Sequence, residues 1–280
     1  MWGALLFHFV IPIPRNAHPV IIWHKFAEQL AAKVNNSSRY QQRYLSGTLA
    51  WLLMILPTVA FLVALKPLIW QPQAFELALL LLAFDWRSQE KLTSALIDAM
   101  AKEDKPQCKT LLSAFVNRQT ESLSMLGIGK TGAETVVMGF GRNVIGVLFW
   151  YGVFGGIGAL IYRLMVELSR AWSPSRTQFQ PFGLYSIRML ALIEFIPMML
   201  FSWFVMFGKN LNSVYSQVKV QSLSWSLPAP GWLLTAVANK LNLSLGGPAI
   251  YDNKKMVRAK IGGRIAPSAI HLSQIQQLMR

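Results

Sequence analysis

The 280-residue sequence predicts an all-α fold, a polytopic bundle of helices integral to a membrane. Three observations carry this reading. Hydrophobic residues make up 53% of the chain and charged ones only 14%, against roughly 25% charged in an average soluble domain. Several apolar runs approach the ~20 residues that a helix needs to cross ~30 Å of hydrocarbon. The 27 Lys and Arg, set against 12 Asp and Glu, are spread unevenly over the connecting segments. This composition excludes a disordered chain and a collagen-like repeat. The single cysteine, Cys108, excludes a disulfide scaffold and Cys-based zinc sites.

Taken in order, 1–14 is apolar but too short to cross, and no Lys or Arg precedes it. It reads as an anchor or a truncated first helix rather than a cleaved signal. A span is expected over 45–65, where Pro57 is tolerable inside a membrane helix. The run 74–86 is shorter and holds Glu76; alone it suits an interfacial or re-entrant piece as well as a span. Segment 87–142 reads as a helical loop. Leu92, Leu96 and Met100, then Leu111, Leu112 and Phe115, give two amphipathic helices divided at Lys105-Pro106. Further spans are expected over 144–165 and 189–207, the second interrupted by Glu194. In the tail, 208–280, a proline-glycine turn at 227–232 leads into a helix over 233–241, followed by a tight bend at Gly246-Gly247-Pro248.

Lys and Arg number five in 14–44, eight in 87–142 and nine in 208–280, but one in 66–73 and two in 166–187. The positive-inside rule then places the three basic regions on the cytoplasmic face, which requires about four spans with 74–86 among them. That bias explains the basic excess without nucleic acid. Membrane lipid and other membrane proteins are the expected partners, and 1–280 is read as one membrane domain.

Candidate chemistry is sparse. Gly129-Lys130-Thr131 mimics the end of a phosphate loop, but Ser124 stands where that motif needs a glycine and no strand precedes it. The string 127–135 is read instead as a flexible entry to a helix starting near Thr131. Of the four histidines, His18 and His24 are six apart and share no helical face. No pair among the twelve carboxylates has metal-ligand spacing, so no metal site is expected. Glu194, a charge inside a span, is a functional candidate by position. Its alternatives are an ion pair with Arg163 or Arg188, or a protonated buried acid.

A set of motifs then lines up in order from about residue 15 to the C-terminus. They are His18-Pro19-Val20; Asn117-Arg118-Gln119-Thr120; Glu134-Thr135-Val136; Leu148-Phe149-Trp150 with Gly155-Gly156; Tyr162-Arg163; Pro228 to Trp232; and Leu245-Gly246-Gly247-Pro248 with Tyr251. Together they resemble the cobalamin-biosynthesis CbiB/CobD family of polytopic membrane proteins, the adenosylcobinamide-phosphate synthases. The resemblance implies ATP-dependent amide formation between the corrinoid adenosylcobyric acid and aminopropanol or its phosphate, at the bacterial inner membrane. ATP and Mg²⁺ are implied if that activity is retained. Carried over by motif, Glu134 is the best retained catalytic acid, with Glu194 as a second. His18, Arg118, Thr120, Thr135, Tyr162, Arg163, Trp232, Gly246, Gly247, Pro248 and Tyr251 are the implied substrate contacts.

The departures from the family pattern are consistent in kind. Ile11-Pro12-Ile13 replaces Gly-Asp-Pro, and Met138, Gly139 and Arg142 replace a Glu-Asn pair and an aspartate. Val166, Ser169, Leu190, Ala191, Ala229 and Leu234 stand at other expected polar positions. Each loss removes a carboxylate or an amide, and Arg142 puts a positive charge where an acid is expected. The resemblance therefore points to the family scaffold with a thinned catalytic set. The alternative is a non-catalytic membrane partner or sensor on the same scaffold, similar to the AmpE proteins.

Overall fold

The computed structural model describes residues 19–208 and 210–279. His18 and the apolar opening 1–14 lie outside the described residues. The chain is mainly helical and divides into two compact units, one of Met1–Arg87 with Arg142–Ile193, the other of Ser88–Gly141 with Glu194–Arg280.

The first unit begins with α1 (Pro19–Val34) and α2 (Tyr40–Leu65). At 26 residues, α2 is about 39 Å long, enough to cross a bilayer. Leu45, Leu49, Leu53 and Leu56 stand exposed along one side, as lipid-facing residues do. On the other side, Gly47 lets the Phe182 backbone approach to a distance no Cβ would allow, and the Trp51 ring meets Tyr185 edge-on at 5.3 Å. Next, α3 (Pro72–Ala83) has 12 residues, or about 18 Å. The expected crossing over 74–86 is thus a helix shorter than the hydrocarbon, and it packs along α7 (Gly146–Ala171).

By length and composition three helical stretches could cross a membrane: Tyr40–Leu68, Met125–Ala171 and Leu184–Met206. The second of these is not straight. Gly155 has φ 68° and ψ −159°, and the chain reverses there. A Cβ on Gly146 would collide with the Tyr162 ring, and Arg163 donates to the Asn143 side chain. In a straight helix those pairs would be ~24 and ~30 Å apart. The apolar run 144–165, expected as one span, is therefore a helical hairpin with its tip at Gly155-Gly156. Glycine is needed at the tip for the left-handed backbone. The Glu76 carboxylate of α3 accepts the Gly156 N–H and pairs with Lys66 Nζ at 3.0 Å, closing the tip. At the open end, α1 is tied on by Trp23 Nε1 to the Leu164 carbonyl, 3.1 Å, and by Trp172 Nε1 to the Ala27 carbonyl, 3.0 Å.

The second unit is built around α6 (Met125–Phe140). The expected flexible entry at 127–131 is already helix. The Ser124 hydroxyl caps it by accepting the Gly127 N–H at 3.2 Å, satisfying a donor that a helix start leaves free. Ile128, Ala133, Val136 and Val137 are buried against α5 (Lys105–Ser113), α10 (Pro228–Lys240) and α11 (Ala269–Met279). The apolar character of α6 thus serves protein packing. The break expected at Lys105-Pro106 separates α4 (Trp86–Ala101) from α5, whose N-cap Asp104 accepts the Gln107 N–H at 2.9 Å.

Later in this unit come the end of α8 (Leu184–Met206), then α9 (Leu211–Gln221) and α10. The expected turn at 227–232 is the first turn of α10; Pro228 and Pro230 fit there because first-turn N–H groups have no helical acceptor. The tail adds a small β component to the all-α expectation. Strand β1 (Ser244–Gly246) pairs antiparallel with β4 (Lys260–Gly262), and β2 (Ala249–Tyr251) with β3 (Lys254–Met256). Gly246 and Gly247, both at positive φ, make the bend between β1 and β2.

The hairpin tip has a direct test. Gly155→Ala should lower stability by about 1–3 kcal/mol, from a strained φ and a Cβ crowding a carboxylate; the added atom would lie 2.5 Å from Glu76 Oε2. Gly152→Ala, with nothing within 4 Å of the new Cβ, should leave the melting temperature in detergent unchanged or slightly raised. Equal effects at both positions would rule out a reversal at Gly155.

Candidate functional site

In the second unit a buried carboxylate gathers distant parts of the chain. Glu134 of α6 accepts from the Arg118 guanidinium, from Arg258 Nη1 at 3.0 Å and Nη2 at 3.3 Å, and from the Gly246 backbone N–H at 2.9 Å. Arg118 also donates to Thr131 Oγ1 at 3.0 Å, and Arg258 Nε to the Gly247 carbonyl at 3.2 Å. Arg258 lies over the Trp225 ring, 5.3 Å from its centroid. The side chains of Glu134 and Arg118 are only 6% and 9% exposed. An ion buried this far is tolerable only when paired and fully hydrogen-bonded, and this one is. Beside it, Gln119 N–H donates to the Ile250 carbonyl at 2.9 Å, so the Asn117–Thr120 motif docks against β2.

The first unit holds a comparable network. Glu167 of α7 contacts His24 Nε2 at 2.7 Å, Arg163 Nη2 at 2.8 Å and Arg170 Nη1 at 3.6 Å. Arg163 also reaches Asp85 at 3.7 Å and Asn143, and the Asp85 N–H donates to the Asn143 carbonyl at 3.3 Å. The hairpin makes this cluster possible by bringing 143 beside 163.

The structure thus brings together Arg118, Glu134, Gly246 and Gly247 from the expected set. Pro248 is exposed in the same bend and Tyr251 half-buried on β2. Thr135 back-bonds to the Thr131 carbonyl at 2.8 Å. Thr120 is buried and Trp232 half-buried on α10, without joining the Glu134 bonds. Tyr162 and Arg163 belong to the other unit and its network. Glu194 is fully buried on α8, and no group bonded to Glu134 comes from that helix. His18 lies outside the described residues.

Arg258, Lys130, His24, Glu167, Asp85 and Asn143 lie outside the set of site residues that the sequence implies. Only Arg163 and Glu167, four apart in an apolar helix, left a readable signal: a paired charge on one face. The basic tail offered nothing to separate Arg258 from its neighbours. Cys108 is fully buried, and burial together with the Asp104 charge raises its pKa, which leaves a thiol rather than a nucleophilic thiolate.

Among the described residues, no group of three His, Cys, Asp or Glu is placed to hold a metal ion. The residues present do not suit Mg²⁺. Glu134 and Glu167 are each engaged by two arginines, and a dication would have to displace those cations to reach an oxygen.

The sequence model of the CobD/Cbib protein family matches residues 1–280. The chain belongs to this family. The cobalamin biosynthesis protein CobD of Stutzerimonas stutzeri is 29% identical over 99% of this chain and 91% of its own length. The protein of that name from Chromobacterium violaceum is 27% identical over 76% of this chain and 64% of its own. That of Rhodobacter capsulatus is 26% identical over 86% and 77%. No solved structure matches this CobD/Cbib chain.

If Glu134 is the buried clamp its bonds describe, Glu134→Gln should destabilise the protein by about 3–5 kcal/mol, because two arginines lose their counter-ion. Adding Arg118→Met should recover part of that loss, a coupling read from the double-mutant cycle. Additive losses in chemical unfolding would contradict the clamp.

Proposed function

We propose that this chain acts in cobalamin biosynthesis as a bacterial inner-membrane protein. The step we assign to it is amide formation between adenosylcobyric acid and aminopropanol or its phosphate. The family match along the whole chain carries this reading, and the shared name of the relatives supports the pathway. Adenosylcobyric acid presents a carboxylate, and aminopropanol phosphate presents a phosphate. Arginine forks suit such groups because they bind them bidentately. The gathering of Arg118 and Arg258 at the Gly246-Gly247 bend supports this part of the chain as the contact region.

A second reading, a non-catalytic partner on the same scaffold, is favoured by one observation. The Glu134 and Glu167 oxygens are occupied by cationic donors, so neither is poised as a proton acceptor. For the same reason we expect slow synthesis. Membranes carrying this chain, given adenosylcobyric acid, aminopropanol phosphate and Mg²⁺–ATP, should form product below the ~1 s⁻¹ ordinary for an enzyme. Product formation should also restore cobinamide-phosphate synthesis in a strain lacking its own synthase. No product from well-folded protein would favour the non-catalytic reading. Fast turnover that collapses in Glu134→Gln would make Glu134 a catalytic acid after all.

The Lys and Arg distribution supports a cytoplasmic location for 87–142 and 208–280. Reporter fusions at Gln107 and Lys255 should both read as cytoplasmic. Opposite readings would refute that orientation.

A further inference from the structure

Contacts at the two ends of α2 measure how deep the Glu167 network lies in the first unit. At one end, Glu76 joins Lys66, the residue after α2, to the hairpin tip at Gly156. At the other, Arg43 Nε donates to the Asn35 side chain at 2.9 Å, and Asn35 Nδ2 to the Gln178 carbonyl at 2.8 Å. Between Arg43 and Lys66 the helix is about 34 Å long. It has no charged residue from Tyr44 to Leu65, and Leu45, Leu49, Leu53 and Leu56 are exposed along it. Glu167 stands 11 residues beyond Gly156, about 16 Å from the tip. Its partner His24 stands 11 residues before Asn35 on α1, about 16 Å from the opposite end. The two lengths together match α2, so the network lies near half the depth of the span.

Charged side chains are costly against hydrocarbon at that depth. Glu167 and Arg163 are shielded, at 4% and 7% exposed, but His24 at 31%, Asp85 at 29% and Arg170 at 35% are not. Arg163 Nε is buried without an acceptor among the described residues, a donor of the kind that internal water satisfies. One turn along α1 from His24, Glu28 is exposed, and Gln29 and Lys33 are exposed after it. Polar groups thus continue from the network toward the Arg43 end of α2. The exposed Ile22 and Phe26 of α1 and the α2 leucines are apolar, as contact with lipid requires.

We propose that His24, Asp85 and Arg170 line a water-filled recess that enters from the Arg43 end of α2 and reaches about half the depth of the membrane. Its occupants are water and small hydrophilic solutes. Water there supplies the hydration that acyl chains cannot give, whereas a dry arrangement sets three ionisable side chains against hydrocarbon. The recess rests on the reading of α2 as a membrane-crossing helix, and it requires nothing of Glu134 or of synthase activity.

The test uses the full chain in phosphatidylcholine nanodiscs, single introduced cysteines and a charged, membrane-impermeant thiosulfonate. The unmodified chain, whose Cys108 is buried, sets the background. Arg170→Cys is compared with Leu53→Cys at matching depth, and Glu28→Cys with Leu49→Cys nearer Arg43. Each recess cysteine should react about tenfold faster than its leucine-site partner, because the reacting thiolate needs water and hydrocarbon disfavours it. Glu28 makes no contact with Glu167, so its variant keeps the comparison decisive if Arg170→Cys fails to fold. Recess cysteines as slow as the leucine-site ones would overturn the proposal. Four equally fast cysteines would overturn it differently, by showing that α2 does not face lipid.

Discussion

A carboxylate taken out of water is costly unless cationic donors replace its hydration, and the second unit depends on meeting that cost at Glu134. The donors come from positions 118, 246 and 258, so one side chain on α6 joins the loop before it to the strand region of the tail. The backbone contact matters as much as the arginines. Glu134 holds the Gly246 N–H, and Gly246 and Gly247 both have positive φ. The bend is therefore fixed by geometry that only glycine adopts without strain and by a charge at its centre. Arg258 completes the arrangement by spanning from the carboxylate to the Gly247 carbonyl.

Glu167 repeats the same solution in the first unit, with Arg163, Arg170 and His24 around it. The recurrence gives the two units a common electrostatic character. Glu134 and Glu167 are each engaged by two arginines. Both networks are therefore suited to anions and poorly suited to cations. Their electrostatic sign, more than the identity of any single residue, bears on what this scaffold can bind.

Much of the fold was legible because it follows from local chemistry. The apolar runs, the helix break before Lys105-Pro106 and the bend at Gly246-Gly247-Pro248 all appear where residue types demand them. The closeness of Arg118 to Gly246 was legible only through motif resemblance, since 128 positions separate them. The hairpin at Gly155 was not legible. An apolar stretch looks the same whether it runs straight or folds back, and the φ of one glycine decides between them. The helical start at Met125 was missed because glycines at 127 and 129 suggest flexibility. In the fold, Gly129 instead admits the Pro267 carbonyl, which a Cβ would exclude. For Glu134 the resemblance implies a catalytic acid, whereas the four hydrogen bonds it accepts come from partners that no local pattern in the sequence brings together.

The reversal at Gly155 sets basic residues that are distant in sequence beside one another. A segment that folds back brings both its ends to the same level, and Arg142 lies near enough to Arg170 to repel it. Arg142, the last of the eight cations of 87–142, and the two of 166–187 therefore border one end of a hairpin. Several of the eight have other work: Arg118 neutralises a buried acid, and Lys109 and Lys130 hydrogen-bond within their own unit. The sharpest contrast across a single helix is the one on the two sides of α2. Five Lys and Arg precede it in 14–44 and one follows in 66–73.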